Sequence, residues 1–118
     1  MSKKNYLDKA IEWISKKSFD VVKAPIEGYD PPQIFTNKST GEEIQPDFSL
    51  VSNSGSKSFT EIALKSDTPQ NLVTRWKLLS LMASMKRGKL YLLAPKGHKM
   101  FTQKLVDKYN INAIIHSL

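Results

Sequence analysis

Cysteine is absent from this 118-residue chain, which removes disulfide frameworks, thiol nucleophiles and Cys-based zinc or iron–sulfur sites. Histidine is almost as scarce: His98 and His116 are the only two, too few for a multi-histidine metal centre. No apolar run approaches the roughly 20 residues that cross a bilayer, and the opening Met1-Ser2-Lys3-Lys4-Asn5-Tyr6 lacks the apolar core of a signal peptide. A soluble, cytoplasmic protein with no membrane partner is therefore expected. A glycine-rich phosphate loop, a Ser-His-Asp order, an HExxH motif and zinc-finger spacing are all missing too, which sets aside the enzyme classes built on them.

What is present is ordinary globular composition, 40% apolar and 25% charged, in a length that suits one domain over residues 1–118. The balance is basic, with 18 Lys+Arg against 11 Asp+Glu, a formal charge of +7. The excess is unevenly placed. Residues 1–50 carry a net −1 and residues 51–118 a net +8, so the second half should present a basic surface suited to a polyanion. A merely solvated, soluble surface is the plain alternative.

Apolar residues at three- and four-residue steps, Tyr6, Leu7, Ala10, Ile11 and Ile14, predict an amphipathic helix over about 4–17. Phe19 to Val22 suggests a short strand ended by Pro25, and Glu27-Gly28-Tyr29-Asp30-Pro31-Pro32 a loop. Two extended pieces, Gln33–Thr36 and Glu43–Val51, are joined by the turn-forming Asn37–Gly41; a polar connection then leads to a strand over Phe59–Lys65, together an antiparallel meander. Asp67 or Thr68 can cap the next helix, with Pro69 in its first turn, Leu72, Val73, Trp76, Leu79, Met82 and Ala83 as its apolar face, and Gly88 at its end. Lys89–Ala94 reads as a strand buried on both faces, His98–Tyr109 as a helix and Ile111–His116 as a final strand. The strand–helix–strand ending implies a parallel pair, so the sheet is mixed and the class is α/β with an α+β start.

Chemistry concentrates on two of these strands. Glu61, Ala63 and Lys65 share one face of theirs, while Asp47, after Pro46, begins the neighbour. Pairing around the Ser52–Ser58 connection would bring two carboxylates and a lysine together. Carboxylate oxygens hold a hard divalent ion, and a lysine steadies a phosphate or orients water.

Pro46-Asp47, a gap of 13 residues and Glu61-Ile62-Ala63, within this element order, resemble the PD-(D/E)xK nuclease superfamily, whose fold is the restriction-endonuclease-like core. The resemblance spans roughly residues 4–116 and implies Mg²⁺-dependent cleavage of DNA, with Asp47 and Glu61 as metal-binding acids. The position where the family carries its lysine is Ala63 here. Lys65 stands one same-face step further, about 7 Å along a strand; lysines of the family also migrate to the following helix, where Arg75 and Lys77 stand. Two readings follow: a small nuclease-like, nucleic-acid-binding domain with Asp47, Glu61 and Lys65 (or Lys77) as its site, or a catalytically inactive member of the fold serving as a DNA-binding or protein-interaction module. A third is an α/β domain with no nucleic-acid role. Lys57, Arg75 and Lys96 are the backbone-contact candidates, and a homodimer is compatible because cutting two strands takes two sites.

Other residues have plainer explanations. Glu12 reads as a surface charge on the first helix, Trp76 as core, Trp13 as a boundary residue, and His98 as an exposed loop histidine that would otherwise meet phosphate at a helix start.

Overall fold

A computed structural model describes residues 3–66 and 68–118. A short 3-10 turn, Lys3–Tyr6, leads into α1 (Leu7–Ser15); then come β1 (Phe19–Lys23), β2 (Phe35–Thr36), β3 (Glu43–Ile44), β4 (Phe48–Ser52), β5 (Lys57–Ile62), α2 (Pro69–Met85), β6 (Leu90–Ala94), α3 (Lys99–Tyr109) and β7 (Ile114–Ser117). Five strands form one mixed sheet in the order β1-β4-β5-β6-β7. The β1/β4 and β4/β5 pairs are antiparallel; β5/β6 and β6/β7 are parallel, bridged by α2 and α3.

Strand alternation sorts the apolar residues into two cores, one on each face of the sheet. Phe48, Leu50, Ile62 and Leu93 pack against Ala10 and Ile14 of α1. Phe59, Ala63, Leu90, Leu92 and Ala94 pack against Val73, Trp76, Leu79 and Ala83 of α2 and Leu105 and Val106 of α3. The result is three layers, with β6 buried between them as its unbroken apolar sequence predicts. Gly88 ends α2 where no other residue fits, since a Cβ there would stand 1.6 Å from the Lys57 carbonyl oxygen.

The meander differs from expectation in one instructive way. Glu43–Val51 is not one strand: Pro46, which has no N–H to give a ladder, separates β3 from β4. Consequently β2 and β3 form a separate hairpin, with Phe35 opposite Ile44, and β4 takes β1 as its partner instead. The hairpin lies on the α2 side, where Ile44 joins the core and the Phe35 ring meets the Phe59 ring edge-on at 5.8 Å. The first helix is shorter than predicted and opens with the 3-10 turn; β5 ends at Ile62, short of Lys65; β7 starts at Ile114 because the chain first leaves α3 through a left-handed Asn110. Thr68 caps α2 without a side-chain hydrogen bond, and the alternative cap, Asp67, lies outside the described residues.

Candidate functional site at the splayed end of β4 and β5

The β4–β5 ladder stops at the pair Phe48–Thr60. One step beyond, where Asp47 would face Glu61, the backbones part and the two side chains replace the missing rungs. The Asp47 N–H donates to Glu61 Oε2 at 2.7 Å, and the Ile62 N–H donates to Asp47 Oδ2 at 2.8 Å. Sequence spacing brings the two acids together, as expected, on the α2 face of the sheet.

Two cations close the group. Arg75 of α2 forks onto Glu61, with Nε on Oε1 and Nη2 on Oε2 at 3.1 Å, while Nη2 also donates to the Gln45 carbonyl. Lys3, from the 3-10 turn, sets its ammonium 3.0 Å from Asp47 Oδ2, 3.2 Å from Oδ1 and 3.9 Å from Glu61 Oε1. Gln45 in turn donates its side-chain amide to the Pro32 carbonyl at 2.8 Å, which joins the two ends of the β2–β3 hairpin, and Arg75 links that end to Glu61 of β5. Among the described residues the formal charges of the group, two carboxylates and two cations, cancel.

Glu61 is wholly buried, at 0% exposure, and burial is the main force holding its carboxyl above the ordinary 4.5; Asp47 adds to this, against the bond from Arg75 and the charges of Lys3 and Arg75. Burial alone would pull the Arg75 guanidinium down, but its bond to Glu61 and the charges of Glu61 and Asp47 outweigh it and keep it firmly protonated.

The donor set does not fit Mg²⁺. That ion demands near-octahedral oxygen ligands, yet each of the four carboxylate oxygens already accepts a donor or faces an ammonium, and a divalent ion between them would meet two cations at contact distance. Among the described residues no third His, Asp or Glu joins the pair to make a metal-holding group. Ala63, two residues after Glu61, is fully buried in the α2-side core.

The remaining candidates are dispersed. Lys65 follows the end of β5 with its side chain exposed; its N–H donates to His98 Nδ1 at 2.9 Å. His98 is thus not the exposed loop residue expected: at 6% exposure it ties the chain after β5 to the start of α3. Lys77 is exposed on α2 and lies over the Tyr109 ring, 5.6 Å from its centre, away from the carboxylates. Glu12 pairs with Lys16 at 3.8 Å on the outer side of α1. Trp13 sits at the boundary, between Tyr91 and His116, and Trp76 is core, both as expected. Lys57 and Lys96 are exposed, whereas Arg75 is committed to Glu61 and the Gln45 carbonyl. Lys3 was not foreseeable: 44 residues separate it from Asp47, and no local pattern marks it.

No family model, curated protein or solved structure matches this chain. The site therefore has to be read from its own chemistry.

Proposed function

We propose that this chain is a nucleic-acid-binding module built on a restriction-endonuclease-like core whose catalytic centre is closed. The observation that carries this reading is the Asp47–Glu61 pair itself. The two acids meet at the end of adjacent strands, as the resemblance implies, but Arg75, Lys3 and two backbone N–H groups satisfy their oxygens. Ala63 supports it, because an apolar buried residue stands where phosphate and water would need a cation. The strand order, with α1 on one face and α2 and α3 on the other, suits the same core.

Binding rests on the second half of the chain. Of its three acids, Glu61 is buried and paired, whereas its lysines are exposed. Such a surface attracts phosphate backbones by counterion release, without sequence preference. The test is a pair of measurements on single-stranded DNA, duplex DNA and RNA. With Mg²⁺ or Mn²⁺ no strand should be cut, and affinity should fall steeply as salt rises. Metal-dependent cleavage that Asp47→Ala abolishes would overturn the closed centre; absence of binding at low salt would overturn the nucleic-acid role.

A further inference from the structure

Resting on that nucleic-acid reading, we infer that the chain has a seat for one unstacked base of a single strand, in a groove beside the carboxylate cluster. α2 packs on β5 and β6, and Lys23 of β1 and Ser49 and Val51 of β4 line a cavity beside it together with Gln33 and Phe35. This cavity, between hairpin, sheet and the last turn of α2, has a volume of ≈390 Å³, near the lower end of the roughly 300–1,000 Å³ typical of ligand pockets. Its apolar surface is made by Phe35, Phe59, Val51, Met82 and Met85. Met85 is 71% exposed, so its side chain offers an apolar surface at the mouth of the cavity.

The rim has one sign of charge. Lys23, Lys57 and Lys86 line it, and among the described residues no carboxylate does. None of the three has an ion-pair partner among the described residues. Charge complementarity therefore calls for an occupant with an apolar body flanked by anions. Gln33 and Ser49 narrow it further: both line the cavity, and neither side chain has a hydrogen-bond partner among the described residues. An amide and a hydroxyl at the edge of an apolar slot match a base, which has an apolar face and a donor–acceptor edge, and the lysines match its flanking phosphates.

The test compares a short oligothymidylate, the same strand made abasic, and a blunt duplex, measured by fluorescence anisotropy over a range of salt. Base contacts on an apolar platform predict a preference for thymidylate over the abasic strand of roughly 5- to 150-fold. Met85→Glu, at an exposed position that leaves the melting midpoint unchanged, should erase that preference while duplex binding persists. Replacing Lys23, Lys57 and Lys86 with Gln should flatten the slope of log affinity against log salt by about 2 for three single-strand phosphate contacts. Equal affinity for thymidylate and abasic strands would overturn the base seat while leaving backbone binding intact. A phenylalanine-bearing acidic peptide that binds tighter than thymidylate, and loses this in Met85→Glu, would overturn it in favour of a protein partner. No binding to any strand at low salt would remove the seat and the nucleic-acid reading together.

Discussion

The carboxylate cluster and the lysine-rimmed groove lie on one face of the sheet, two residues apart along both β4 and β5, and they treat charge in opposite ways. Asp47 and Glu61 bring charge inside, and the chain supplies its own counter-charges through Arg75 and Lys3. Lys23, Lys57 and Lys86 keep charge at the surface with no ion-pair partner among the described residues. Burial makes the first arrangement obligatory: a wholly buried carboxylate without a partner is very costly, so every donor in reach is recruited. The second is under no such demand, and its charges stay available to a partner. Under the proposed function, a partner is met where charges are unmatched and not where acids are concentrated.

Four changes would break or sharpen this contrast. The largest effect belongs to Arg75→Ala, which strands Glu61 in the core and should cost about 3–5 kcal/mol at pH 7. Its pH dependence follows from the raised Glu61 carboxyl. Without Arg75 that carboxyl rises further above the ordinary 4.5, so stability is present at low pH and lost as pH rises through the folded value. Urea unfolding at pH 4 and pH 7 should show the deficit shrinking in acid; a deficit that grows in acid would contradict the buried-pair account.

Asp47→Ala comes next. It leaves the Ile62 N–H and the Lys3 ammonium without their acceptor, a loss of roughly 1.5–3 kcal/mol by the same measurement. Lys3→Ala should cost less than about 1 kcal/mol, since this ammonium is partly solvated. The smallest effect on stability is expected from the triple change of Lys23, Lys57 and Lys86 to Gln, within about 0.5 kcal/mol, although this variant should show the largest change in salt-dependent binding. A stability loss of several kcal/mol there would mean that the rim lysines are structural after all.

Much of this arrangement was legible in the sequence, and the exceptions share a cause. Helices α2 and α3 are legible because their apolar residues recur at the helical period, and β6 because its short apolar run is unbroken, as in a strand buried on both faces. Asp47 and Glu61 were legible for a similar reason: a short connection between adjacent strands fixes which residues meet. What was not legible depended on contacts between distant segments. The partner exchange that puts β1, not β2, beside β4 turns on Pro46 ending one ladder before another begins. The closure of the site depends on Lys3, 44 residues from the acid it touches. Arg75 was visible as a cation on the right helix, yet only the fold shows that it faces inward to Glu61 and not outward to phosphate. The burial of His98 is not legible either, because it depends on which other loop lies beside it, here the one carrying Lys65.

The claim that the acids serve the fold and the lysines serve a partner meets its most direct test in a single titration. Mn²⁺ is added to the wild-type protein with labelled oligothymidylate, and both strand integrity and affinity are followed. The strand should remain whole, and affinity should only fall, as it does when a divalent salt screens the lysines. Cleavage, or a Mn²⁺-dependent gain in affinity that Asp47→Ala removes, would show that the carboxylate pair opens to a metal and would contradict the account.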